Sequence, residues 1–254
     1  MAMAHDAQML KARKGGAAQK AVEVACLLLT PLALVACMAF ELPSAGLLTL
    51  AAAVAALVMF FAGWERSQPG LRQMLPAAVL SAAAVAGRIV FAAAPNVQPV
   101  TALCVIAGAV FGRRTGFMVG AVTGLVSSLF LGIGAWTPWQ MYAWGTVGYF
   151  AGILFSRRLA DGVSGPASLK RDSIVAVLAY GFLASFAYGF VMNTWMLVGF
   201  LGSSGLPSFV AVYGAGVAFD VAHAISTVAF LGLLYVPLSS RLVRISIRYA
   251  LDGA

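Results

Sequence analysis

Three ionisable residues stand apart from the other charges in this sequence. Arg88, Asp220 and His223 each lie inside a long apolar stretch. A basic side chain at membrane depth costs roughly 2.5–3.5 kcal/mol on insertion scales and marks a functional position by default. Asp220 is the natural ion-pair partner for Arg88, and a ligand contact for either residue is compatible with that pairing. His223 follows Asp220 by three residues, so both share one helix face. Such a pair could relay protons, bind a ligand or fix helix packing. A second group is polar and aromatic. Trp136, Thr137, Pro138, Trp139 and Gln140 are consecutive, Asn96 and Gln98 lie between Pro95 and Pro99, and Asn193 precedes Thr194 and Trp195. Indole rings beside amides would form a platform for a flat, polar, largely uncharged organic molecule. Interfacial anchoring is the alternative use of the tryptophans.

The elements that must position these groups follow from composition. Of 254 residues, 62% are hydrophobic and 9% charged, and the mean hydropathy is +0.95. Soluble domains carry about a quarter charged residues. The chain is expected to be an all-α integral membrane protein, since spanning a bilayer takes about 20 apolar residues per helix. Disorder, a secreted disulfide scaffold and a nucleic-acid-binding domain are excluded on the same ground. Cys26, Cys37 and Cys104 stand singly in apolar stretches, so neither a disulfide nor a metal site is expected, and no cofactor.

The net charge of +8 reads as topology. Apolar blocks run over 21–40, 45–63, 74–94, 99–112, 116–133, 139–156, 173–199 and 207–236. Lys and Arg fall in the tails and in alternate gaps, at 64–73, 113–115 and 157–172, with Arg88 the exception. The positive-inside rule then predicts eight spans with both termini cytoplasmic. The chain divides into a basic N-tail (1–20), a two-span hairpin with its linker (21–73), a six-span core (74–240) and a basic C-tail (241–254). The first block follows Lys11–Lys20 and contains Leu34-Val35-Ala36-Cys37, which resembles a lipoprotein cleavage box; it is read as an uncleaved span. Glu23 is expected at the membrane edge, in water.

Small residues recur every four positions in two places. Ala78, Ala82 and Ala86 do so in the third span, and Gly108, Gly112, Gly116, Gly120 and Gly124 in the fourth and fifth, echoed by Gly148 and Gly152. Such a stripe lets another backbone approach closely, either within the bundle or on a partner. The fourth span, about 14 residues, is roughly 20 Å long and shorter than the ~30 Å hydrocarbon layer. Its outer end must therefore lie below the surface and create a depression floored by residues 95–99. Arg88, about 21 Å along its helix, falls near it.

Several segments together resemble a known family. They are Arg88-Ile-Val-Phe91, Pro95-Asn-Val-Gln-Pro-Val-Thr-Ala102, Gly116-Phe-x-x-Gly120, Ser127-Ser-Leu-Phe-Leu-Gly132, Trp136-Thr-Pro-Trp-Gln-Met141 and Phe219-Asp-x-x-His-x-x-Ser-Thr227. Residues 74–248 are similar to the membrane substrate-binding (S) components of energy-coupling factor (ECF) transporters, most of all the cobalamin-type group. That pattern has Asn after Ser127 and Pro before Trp136, where this chain has Ser128 and Ala135. The resemblance implies a non-enzymatic subunit in the plasma membrane of a prokaryote. Its core would be a six-helix fold, here preceded by the hairpin. Such a subunit captures a vitamin-like ligand, cobalamin or a related compound, outside the cell. Its partners would be a transmembrane coupling protein and two ATPase subunits, docked on the face of Ala78, Ala82 and Ala86. The chain itself lacks a G-x-x-x-x-G-K-[ST] phosphate loop. Two other functions compete: a proton-coupled secondary transporter using Asp220 and His223, and an intramembrane serine hydrolase using Ser204 in Gly202-Ser-Ser-Gly205 with His223.

Overall fold

The computed structural model describes residues 21–33, 36–37, 40, 45–66, 70–161, 171–200 and 205–249. Its helices are α1 (Ala21–Ala33), α2 (Ala45–Arg66), α3 (Leu71–Val90), α4 (Val100–Phe111), α5 (Arg113–Leu131), α6 (Thr137–Asp161), α7 (Arg171–Trp195) and α8 (Leu206–Tyr249). A single π-helical turn, Met196–Phe200, extends α7. The described residues contain no strand. Four helices are long and apolar enough to cross a membrane, and the chain is an all-α membrane protein. The eight helices coincide with the eight apolar blocks. The third stops at Val90, and 91–94 form turns. Gly202, Ser203 and Ser204 of the serine-hydrolase motif, and the 162–170 loop, lie outside the described residues.

Helix α4 is the axis of the bundle. It is apolar all round, and every residue from Val100 to Ala109 is buried, as a helix enclosed by others must be. Helices α5 and α6 pack on one side of it and the α7–α8 pair on another. The α5–α6 seam is built on glycine. A Cβ added at Gly116 or Gly148 would collide with the backbone of the other, one at Gly120 with Trp144, and one at Gly152 with Arg113. The helices therefore touch main chain to main chain. Gly112 alone joins α4 to α5, with φ +86°, a left-handed conformation that favours glycine.

Helix α3 is two-faced. Ala77, Leu80, Ser81, Ala84 and Val85 are buried, while Ala78, Ala82 and Ala86 are exposed. The alanine stripe points away from the bundle.

The hairpin packs on the outer side of α5 and α6. Phe60 stacks on Phe117 with ring centroids 3.6 Å apart. The Tyr142 hydroxyl donates to the Leu27 carbonyl at 2.5 Å. Glu23 is 5% exposed, which corrects the expectation that it stands in water. Its carboxylate accepts from Arg113 Nε at 2.9 Å, Arg114 Nε at 2.6 Å and the Tyr149 hydroxyl at 2.9 Å. Three donors from α5 and α6 offset the desolvation of one buried charge.

Candidate functional site

The polar residues singled out in the sequence collect at the end of the bundle opposite Arg113 and Arg114. Arg88 lies 17 residues into α3, about 26 Å along it, because the helix begins at Leu71. The expected Arg88–Asp220 ion pair is not formed. Arg88 Nη1 donates to Ser127 Oγ at 2.5 Å and Nη2 to Gln140 Oε1 at 3.2 Å. The guanidinium also lies over the Trp144 ring, 4.7 Å from its centroid. All three partners are neutral, and the Nε hydrogen meets no acceptor among the described residues. Ser127 can accept from Arg88 because its own hydroxyl donates to the Thr123 carbonyl, one turn back, at 2.6 Å.

Asp220 accepts instead from Asn193 Nδ2 at 3.0 Å. Two glycines make room for this pair. A Cβ at Gly189 on α7 would meet the Asp220 carboxylate, and one at Gly216 on α8 would meet the Asn193 amide. The antiparallel α7–α8 contact thus fixes which acid reaches which amide. His223 is not paired with Asp220 either. Its Nε2 lies 2.7 Å from Thr101 Oγ1, and Trp144 Nε1 donates to the same oxygen at 3.1 Å. Tyr188 stacks on Trp144 at 4.9 Å and meets the His223 ring edge-on at 5.0 Å.

The fourth helix is short, as the sequence predicts. Helix α4 is 12 residues, about 18 Å. Asn96, with φ +58°, donates through Nδ2 to the Phe219 carbonyl at 3.1 Å. Phe219 is 13 residues from the start of α8, so the 91–99 loop lies about 20 Å below that start. On the other side the wall is low: Ser127 and Gln140 lie within about one turn of the ends of α5 and α6. Gln98 is half-buried and makes no hydrogen bond among the described residues.

The two tryptophans do not form one platform. Trp136 is 39% exposed and meets Trp195 edge-on at 6.4 Å. Trp139 is fully buried, among Cys37, Ala53 and Val198. The cause is local. The Thr137 hydroxyl accepts from Gly134 N–H at 3.2 Å while Thr137 N–H donates to the Gly134 carbonyl at 2.9 Å. This closes a turn that starts α6 at Thr137. Trp136 is left before the helix, and Trp139 enters its first turn on the hairpin side.

Ser127, Thr101, Trp144 and Tyr188 belong to the site and were not singled out individually. Trp144 had a signal: it follows Gln140 by four residues and so shares its helix face, and it lies well inside a span rather than at an interface.

The family of unknown function DUF6580 matches residues 67–243. The chain belongs to the DUF6580 family. The DUF6580 match runs from the approach to α3 into α8 and contains Arg88 with Ser127, Gln140 and Trp144; α1 and α2 lie before it. No curated protein and no solved structure matches the sequence.

Proposed function

We propose that this protein is the membrane-embedded substrate-binding subunit of an ECF-type importer, which captures a vitamin-like ligand, cobalamin or a related compound, from outside the cell. The observation that carries the reading is Arg88. It is a half-buried cation beside a recessed loop, held by a serine, an amide and an indole face, with no acid against it among the described residues. A charge at such depth is retained for a partner, and an anionic or strongly polar edge of a ligand supplies one. Gln140 contacts it directly, Asn96, Gln98, Asn193 and Asp220 add amide and carboxylate groups at the same end of the bundle, and Trp136 is exposed there. The exposed face of Ala78, Ala82 and Ala86 is smooth and free of internal packing, which suits docking on a transmembrane coupling protein that carries two ATPases. In this reading the protein sits in a prokaryotic plasma membrane, with both termini and the Arg113–Arg114 end in the cytoplasm.

The test is a thermal-shift screen of the purified protein against vitamins, with cyanocobalamin and cobinamide included. It is followed by uptake in cells with and without the coupling protein and ATPases. Stabilisation by a corrinoid that Arg88→Gln abolishes, and uptake that needs the ATPases, support the proposal. Uptake driven by a proton gradient without them would replace it with a secondary transporter. Absence of stabilisation by any compound in the screen would remove the binding reading.

A further inference from the structure

A buried chain of polar contacts crosses four helices at the level of Arg88. It runs from His223 on α8 to Thr101 on α4, to Trp144 on α6, and ends at the guanidinium from α3. Thr101 is fully buried and His223 is 7% exposed, so water is not an available partner for the hydroxyl between them. An indole nitrogen only donates. One lone pair of Thr101 Oγ1 therefore takes the Trp144 N–H. The hydroxyl hydrogen then needs an acceptor, and His223 Nε2 at 2.7 Å is the one within reach among the described residues. The imidazole must carry its hydrogen on Nδ1 for this arrangement to close.

Two consequences follow from the donor inventory. The chain is not a proton wire, because an indole cannot accept a proton through its nitrogen and an arginine does not release one. What it does fix is orientation. With His223 holding the Thr101 rotor, the lone pair that receives Trp144 has a set direction, and the plane of the indole is set with it. Arg88 lies on the face of that indole. A cation–π contact depends on the cation lying over the ring face, so a rotated indole moves the guanidinium relative to Ser127 and Gln140.

We infer that His223 is a positioning residue for Arg88, acting through Thr101 and Trp144 and not by touching the ligand. Arg88's use of that position rests on the binding function proposed above. The existence of the coupling does not, and it is measurable without any ligand.

The experiment uses the full chain in nanodiscs, labelled with 15N-arginine and 15N-tryptophan. The Arg88 guanidinium and Trp144 indole signals are assigned by their loss in Arg88→Lys and Trp144→Phe. His223→Leu and Thr101→Val should shift both signals, while the Trp139 indole stays in place. His223→Gln, which keeps an acceptor near Thr101, and Thr101→Ser, which keeps the hydroxyl, should restore both toward wild type. His223→Asn, one methylene shorter, should behave like Leu and serves if the Leu variant does not fold. In a Trp144→Phe background, which keeps a ring under Arg88 but deletes the N–H, changing His223 should no longer move Arg88. A general loosening of the core would not discriminate Gln from Asn, nor vanish in that background. An Arg88 signal that stays put in His223→Leu and Thr101→Val, or that still moves fully in the Trp144→Phe background, overturns the inference. If no vitamin stabilises the protein, the binding proposal falls and these shifts still decide the positioning one.

Discussion

The glycine seam between α5 and α6 and the alanine stripe on α3 have the same four-residue spacing and opposite surroundings. Gly116, Gly120, Gly148 and Gly152 face backbone at distances that leave no room for a methyl group. Ala78, Ala82 and Ala86 are exposed. Four-residue spacing puts small side chains on one helix face, and nothing in that geometry says what the face meets. The difference lies in how the rest of each helix is used. Helix α3 has a second stripe, apolar at Ala77, Leu80, Ala84 and Val85 with the buried Ser81 among them, which takes the bundle side and turns the alanines outward. Helix α5 places Gly116, Gly120 and Gly124 on its contact side, where only they allow α6 so close.

The comparison breaks most visibly at Gly148. Gly148→Val puts a branched side chain into the backbone of Gly116, and overpacking of this kind costs about 1–3 kcal/mol or more. We expect loss of the monodisperse folded protein by size exclusion. A well-folded Gly148→Val variant would show that the seam can open.

Glu23→Gln comes next. It leaves Arg113 and Arg114 facing a neutral group behind the seam. Breaking a buried pair costs 3–5 kcal/mol, and both arginines retain 33% side-chain exposure, so about 2 kcal/mol is expected, as a lowered melting temperature. A melting temperature equal to wild type would mean that water hydrates the arginines as well as Glu23 does.

Gly112→Ala separates two reasons for glycine within one ladder. Nothing lies within 4 Å of a Cβ at Gly112, so the cost is conformational only, about 1–3 kcal/mol for a side chain held at φ 86°, ψ 172°. Gly120→Ala, by contrast, meets the Trp144 backbone and should cost more than Gly112→Ala in the same assay.

The smallest effect on folding is expected at Ala82→Leu. An exposed substitution of this kind stays within about 0.5 kcal/mol, so melting temperature and ligand stabilisation should match wild type. Under the proposed function, co-purification with the coupling protein and uptake should be lost. Retained uptake would show that the stripe faces lipid alone, and a large fall in melting temperature would return it to internal packing.

Hydropathy and charge by themselves determined the all-α membrane character and the eight helices. A 62% apolar chain must satisfy its backbone within helices when it enters a bilayer, and the breaks between helices are written in Pro, Gly and charged residues. The polar end was legible for a related reason: Arg88, Asn96, Asp220 and His223 are costly among apolar neighbours and so stand out. Their partners were not legible. Arg88 and Asp220 have opposite charge, but Gly189 and Gly216 seat Asp220 against Asn193, and Ser127 and Gln140 reach Arg88 first. Glu23 looked like a solvated edge residue until α1 packed against α5 and α6 and brought it to two arginines and a tyrosine. Trp139 looked like a partner for Trp136 until a turn at Gly134–Thr137 set where α6 begins. Short-range chemistry decides which residues prefer to be buried or paired. Which neighbour satisfies them depends on helix rotation and depth to within a few ångströms, and those are set only when all the helices pack together.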